Sequence, residues 1–311
     1  MWPIVPDVVL DARDELNCLP PRPDDAVIAV PAPGTGAGTW VGAPSALRSG
    51  DDIVMAYRLR DPVRRGYAVE VARSADGENF QTVLVISKDE MDAESLERPA
   101  LVLTDEGGWR LYLSCATYGT KHWRVEVIEA SEPDAFDPAH RRVLLPGDAA
   151  TAIKDPVIIW HDGRWHLWAS AHPLDDPEQT DRMVTDYASS GDGLDWTWHG
   201  TALSPRPGAW DARGARVTAV RVAPDGLIAY YDGRASAAQN CEELTGVAVG
   251  TEPGTLTAVG SAPAAQSAQQ GRGLRYLDFV DLGDGRERMY YELTNANGSH
   301  DLVTELRSRR G

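Results

Sequence analysis

The sequence predicts an all-β chain, a five-bladed β-propeller of four-stranded antiparallel blades, from three observations. A strand, turn, strand pattern occurs five times, the repeats are evenly spaced, and turn residues rather than helical periodicity separate the apolar runs. The pattern opens with Gly42-Ala43-Pro44-Ser45-Ala46-Leu47 leading to Ile53-Val54-Met55-Ala56-Tyr57. It recurs as Arg98-Pro99-Ala100-Leu101-Val102-Leu103 before Trp109-Arg110-Leu111-Tyr112-Leu113, and as Asp155-Pro156-Val157-Ile158-Ile159-Trp160 before Trp165-His166-Leu167-Trp168-Ala169. The last two copies are Arg216-Val217-Thr218-Ala219-Val220 before Leu227-Ile228-Ala229-Tyr230-Tyr231, and Tyr276-Leu277-Asp278-Phe279-Val280 before Arg288-Met289-Tyr290-Tyr291. Starts at 43, 98, 155, 216 and 276 lie 55, 57, 61 and 60 residues apart, room for one four-stranded blade with its loops.

Asp-Gly-rich connectors join strands one and two: Asp105-Glu106-Gly107-Gly108, His161-Asp162-Gly163, Pro224-Asp225-Gly226 and Gly283-Asp284-Gly285. Outer strands are readable at Ala68–Ala72, Phe80–Val83, Tyr187–Ser190 and Trp196–Trp198. Ser74-Ala75-Asp76-Gly77 and Ser190-Gly191-Asp192-Gly193 occupy the same place in blades one and three, as tight turns after strand three. Residues 24–33 are expected to lend a strand that closes the ring, because an unpaired edge is a liability. The whole chain, 1–311, reads as one domain with an N-terminal extension over 1–23.

Composition narrows the function. A formal charge of −17 and a pI near 4.8, with no Lys/Arg-rich run, oppose binding to a phosphate backbone, so nucleic acid is not an expected partner. No segment approaches the roughly 18 consecutive apolar residues of a membrane helix, so no membrane partner is expected. Met1-Trp2-Pro3-Ile4-Val5-Pro6-Asp7 carries no basic region followed by an apolar stretch, and a cytoplasmic location is the expectation. Cys18, Cys115 and Cys241 are widely separated and odd in number, which fits reduced thiols better than a disulfide framework. No metal site is expected, since no His pair sits at ligand spacing, and no cofactor is expected.

In an antiparallel blade the start of strand one, the end of strand two and the loop into strand three share one end of the ring. In this chain that end carries irregular loops rich in ionisable side chains, where function concentrates. The candidate binding residues there are Arg58, Arg98, Arg216, Asp232, Arg234, Arg275, Glu292 and His300; Glu97, Lys154, Lys121, Arg60, Arg65 and Tyr276 share the face. Carboxylates converging with arginines can set two acid strengths apart, as glycosidic chemistry requires. The arginines suit an anionic ligand, phosphate or an acidic sugar, because a guanidinium pairs bidentately with either. Tyr57, Tyr231 and Trp123 are candidates to stack on sugar rings.

Lys154-Asp155-Pro156-Val157-Ile158, followed by His161-Asp162-Gly163-Arg164-Trp165-His166-Leu167, resembles the Asp-Pro strand opening and hairpin repeated in the five-bladed propeller glycoside hydrolases of families 43, 32 and 130. Ile228–Arg234 and Asn240–Gly246 are similar to their pocket loops. The resemblance covers about residues 40–308 and implies that Asp155 tunes and orients a general acid, supplied by Glu242 or Glu243. The family's base, an aspartate opening blade one, has no counterpart, because Gly42-Ala43-Pro44 stands there. Glu97, Asp232 or Glu292 could supply the missing carboxylate. Likeness to family 130 implies a second route, phosphorolysis, in which basic side chains hold phosphate. The expected activity is therefore glycosidase-like, hydrolysing or phosphorolysing a glycosidic bond in a small carbohydrate or oligosaccharide. The alternative is a non-hydrolytic propeller that binds a polar or anionic ligand, or catalyses another reaction, without the blade-one aspartate.

Overall fold

The computed structural model describes residues 20–308. Cys18 and residues 1–19 of the expected N-terminal extension lie outside them. After the short strand β1 (Val27–Val30) come β2 (Trp40–Ser49), β3 (Asp52–Asp61), β4 (Arg65–Ser74) and β5 (Gln81–Ser87). The next four are β6 (Leu96–Leu103), β7 (Trp109–Ala116), β8 (Trp123–Ala130) and β9 (Arg142–Leu145). Then follow β10 (Thr151–His161), β11 (Arg164–Pro173), β12 (Val184–Ser190) and β13 (Thr197–Leu203). β14 (Gly214–Ala223), β15 (Gly226–Arg234), β16 (Leu244–Glu252) and β17 (Thr255–Val259) precede β18 (Leu274–Asp281), β19 (Arg286–Thr294) and β20 (His300–Ser308).

β6–β9, β10–β13 and β14–β17 are separate four-stranded sheets, each with its strands in chain order. The remaining strands form one eight-stranded sheet, β18-β19-β20-β2-β3-β4-β5, with β1 paired to β20. Its two halves meet through a single parallel bridge between Trp40 and His300, so β2–β5 and β18–β20 plus β1 each form a four-stranded unit. The strand expected within residues 24–33 is thus β1, antiparallel to β20. Among the described residues no helix is long and apolar enough to cross a membrane.

Local chemistry explains the hairpins. Asp162 and Gly163 adopt φ of 47° and 75° between the paired residues His161 and Arg164, the double left-handed geometry of a two-residue turn. The two Ser-x-Asp-Gly turns are built alike. Ser74 Oγ accepts from Gly77 N and Asp76 Oδ1 from Glu78 N and Asn79 N; Ser190 and Asp192 repeat this with Gly193, Leu194 and Asp195. In each case a tyrosine of another unit donates to the turn glycine's carbonyl, Tyr290 to Gly77 and Tyr112 to Gly193. A Cβ at Gly77 or Gly193 would meet Arg288 or Arg110 at 2.6 or 2.5 Å, and both glycines have positive φ.

The core lies between units. Leu111, Leu113 and Ile128 pack with Val54, Val69 and Ile86, and equivalent apolar clusters join each unit to the next. A further one, with Val41, Met55 and Tyr57 against Val280, Tyr290 and Leu302, joins the last unit to the first. The first strands converge: β2 packs on β6, β6 on β10, β10 on β14, β14 on β18 and β18 on β2. Polar staples cross the same seams. Ser114 Oγ accepts from Asp155 N, Thr185 Oγ1 from Val217 N, Asp232 from Tyr276 N, and Asp278 Oδ2 from Ala46 N.

Candidate functional site

Each first strand breaks register with its partner near the same level: after Gly42, Glu97, Lys154 and Arg275, and slightly further along its strand after Val217. The bulged residues Ala43, Asp155 and Tyr276 have φ of 54°, 54° and 55°, a left-handed conformation uncommon for residues other than glycine. This level holds a layer of buried charge. Above it, toward the strand starts, opens a cavity of about 210 Å³ lined by Trp40, Glu97, Trp123, Lys154, Arg275 and Glu243, among others.

The layer centres on three arginines. Arg216 Nη2 lies 2.7 Å from Asp232 Oδ2 and its Nη1 3.0 Å from Asp155 Oδ2, with the guanidinium over the Tyr276 ring. Arg275 places Nη1 2.9 Å from Glu243 Oε2 and Nη2 2.6 Å from Glu292 Oε1. Arg58 reaches Glu292 Oε2 at 2.9 Å and Glu97 Oε2 at 3.2 Å. Arg234 pairs with the other oxygen of Glu243. His300 Nδ1 is 2.7 Å from Glu292 and its Nε2 3.0 Å from Glu242, while its ring stacks on Trp40.

These pairings set acid strengths. Burial alone would raise Glu243, but Arg275, Arg234 and Arg216 outweigh it and hold the carboxyl well below the usual range. Glu292 is likewise held down, by Arg275 and Arg58 against burial, and Glu97 by Arg58, Lys154 and Arg60. Asp155 falls to about 2, because Lys154 and Arg216 overcome its burial. Asp232 goes the other way, to about 6, since burial and the nearby Glu243 prevail over Arg216. His172 is lowered to about 3 by burial and the charge of Lys154, so it is neutral.

The sequence-derived candidates divide by depth. Glu243, Arg216, Arg234 and Arg275 line the cavity. Asp155 and Asp232 lie fully buried behind Arg216, and Arg58 and Glu292 fully buried behind Arg275 and Glu97. Glu242 is half-buried beside the site, accepting from Thr294 Oγ1 and Gly273 N, and it contacts the layer through His300. Arg98 lines a different cavity, on the far side of the layer. Of the three aromatic candidates, Trp123 lines the site, with Lys154 Nζ 4.7 Å from its ring centroid. Tyr57 and Tyr231 are core residues instead, because their hydroxyls are held by Glu70 and Asp211. Trp40 and Asp181 also line the cavity; neither stands out in the sequence, because Trp40 precedes the first repeat and Asp181 sits in a loop with no motif.

Gly42, at the opening of β2, has a steric reason. A Cβ at Gly42 would fall 2.2 Å from Glu292 Oε2, so the glycine makes room for a carboxylate reaching across from β19. The cavity wall carries Arg60, Arg65, Lys121, Lys154, Arg216, Arg234 and Arg275 with Glu97, Asp181 and Glu243; from behind it Asp155, Asp232 and Glu292 pair with Lys154, Arg216 and Arg275, and Glu94 lies 3.4 Å from Arg65. Among the described residues no group of three or more His, Cys, Asp or Glu side chains is placed to hold a metal ion.

No protein-family model matches the chain, and no curated protein matches it in sequence. Solved structures match it in fold. A thermostable family-43 glycoside hydrolase superposes with a TM-score of 0.66 at 12% identity, covering 90% of this chain and 97% of its own. The β-1,2-mannobiose phosphorylase of Listeria innocua gives 0.64 at 13% identity, over 93% of this chain and 92% of that one. A glycosyl hydrolase from Bacteroides ovatus gives 0.60 at 16%, over 97% and 92%. The fold is that of the glycoside-hydrolase-like β-propellers.

Proposed function

We propose that the chain is a five-bladed propeller that cleaves a glycosidic bond by phosphorolysis in the cavity above the charge layer. The observation that carries this reading is the gathering of the loosely paired cations Arg60, Arg65, Lys121 and Lys154 on one wall of the cavity, in a chain of net charge −17. Every carboxylate on its wall, Glu97, Asp181 and Glu243, is held below its ordinary range, so none is poised to donate a proton at neutral pH. Hydrolysis needs such a donor, whereas dihydrogen phosphate brings its own proton. In this reading Lys154, Lys121, Arg60 and Arg65 hold the phosphate. One of its oxygens bonds to the anomeric carbon as the glycosidic C–O bond breaks, and its proton goes to the departing oxygen. The products are a sugar 1-phosphate and an alcohol. Ionised Glu243 stabilises positive charge developing on the sugar ring. Asp155 is a positioning residue that fixes Lys154 and Arg216, Glu242 acts through His300, and Trp123 or Trp40 offers a face for a sugar ring. The reduced thiols Cys115 and Cys241 suit a cytoplasmic setting.

The test is a panel of disaccharides, β-1,2-mannobiose among them, incubated with and without phosphate. Phosphate-dependent sugar 1-phosphate release, abolished in Glu243→Gln, is the expected result; release of free sugar without phosphate would replace phosphorolysis by hydrolysis. The lack of a poised acid favours one second reading, a propeller that binds an anionic sugar without cleaving it. Saturable uronate binding with no turnover of any substrate would select it.

A further inference from the structure

Below the charge layer the same first strands enclose a second cavity of about 340 Å³, lined by Ser45–Arg48, Arg98, Ala100–Leu103, Pro156–Trp160, Trp165, Ala219–Val220, Asp278 and Phe279. Apolar side chains dominate its wall, and Trp160 stands at 41% exposure. Arg98 is only 2% exposed, and its Nη2 donates to the Thr218 carbonyl. Its Nε and Nη1, both buried, have no protein partner, and Asp278, Asp155, Asp232 and Arg216 act on it electrostatically without an ion pair. Asp278 is already committed, with Oδ2 accepting from Ala46 N and Oδ1 from Phe279 N. Arg216 in the layer above has a carboxylate on each side; Arg98 has none in contact. A guanidinium buried this deeply is costly unless an anion pairs with it. The cavity is too apolar for a strongly hydrated oxyanion and, at the small end of ligand pockets, suits one ring or a short chain.

We propose that this lower cavity is a second ligand site, independent of the glycosidic chemistry above, that takes a small amphipathic monocarboxylate with its carboxylate on Arg98 and its apolar body against Val157, Ile159 and Val220. Arg48, exposed beside the mouth, adds a second positive charge. The site would make the axis of the molecule responsive to an organic acid without that acid entering the upper cavity.

Benzoate titration of the full chain, followed by calorimetry and by the fluorescence of Trp160 and Trp165, tests this. Saturable binding is expected, with benzyl alcohol and inorganic phosphate each at least tenfold weaker. Arg98→Met should weaken benzoate at least tenfold. Because that change could disturb folding, Leu47→Trp, which fills the cavity and leaves the buried charge in place, should do the same. Absence of benzoate binding to the folded protein would overturn the proposal, as would benzyl alcohol binding equally well. A loss caused by Lys154→Ala but not by Leu47→Trp would place the acid in the upper cavity and also overturn it.

Discussion

Two walls of the upper cavity use the same residue types to opposite ends. On the side of β14–β19, Arg216, Arg234 and Arg275 are interlocked with Asp155, Asp232, Glu243 and Glu292, so each guanidinium is spent on neighbouring carboxylates. On the side of β2–β10, Arg60 and Lys154 lie over Trp40 and Trp123, with looser contacts of 3.4 Å to Glu97 and 3.3 Å to Asp155. Arg65, 3.4 Å from Glu94, and Lys121 face solvent. The first wall is a scaffold, since a buried pair is strongly felt only when broken. The second keeps cations available to a ligand. Counting arginines would not distinguish them; their partners do.

Breaking the scaffold gives the largest effect. Arg275→Leu strands Glu243 and Glu292 without their shared cation and should cost about 3–5 kcal/mol in urea unfolding. Glu243→Gln keeps the shape and some hydrogen bonds, so about 1–3 kcal/mol is expected from the same measurement. Next comes pH. Asp155, held to about 2, contributes stability that is intact above its ordinary value of 3.8 and lost as pH falls toward 2. Asp232 and Asp278, raised to about 6, act with opposite sign: their ionised forms penalise the folded state above pH 6, and the penalty lifts as pH falls through 6 toward 4. Thermal unfolding should therefore show greatest stability between these limits, and Asp232→Asn should flatten the upper side of the profile. On the open wall, Lys121→Ala and Arg65→Ala should change stability by less than about 0.5 kcal/mol. Each should nevertheless weaken inorganic phosphate binding severalfold by calorimetry; unchanged affinity would make both walls scaffold.

What could be read from the sequence follows the range of the interactions involved. Strand openings, Asp-Gly hairpins and the two Ser-x-Asp-Gly turns are decided within a few residues, so their repetition is visible along the chain. The face that gathers ionisable groups is visible too, because strand direction alone assigns it. Depth is not. Whether Asp155 meets a ligand or lies beneath Arg216 depends on a partner 61 residues away, and Arg98 falls on the far side of the layer because its strand bulges at that residue. Tyr57 and Trp123 look equally suited to a sugar; the fold separates them, burying Tyr57 in the core with its hydroxyl on Glu70 and leaving Trp123 on the cavity wall. Gly42 reads as a missing catalytic group until Glu292, from the other end of the sequence, is seen to need its space.

The pairing of β1 with β20 bears on how the molecule is made. Val27 meets Thr304 and Arg22 N donates to Glu305, contacts spanning most of the chain. Units bounded by β6–β17 can form from neighbours in sequence as they emerge, but the unit holding β18–β20 gains its outer strand only from a segment synthesised long before. Such distant closure carries a large entropic toll and slows folding. The early strand must wait, unpaired, for the late one, which makes this seam the last to set and the first place where an unfinished chain could engage a second copy of itself.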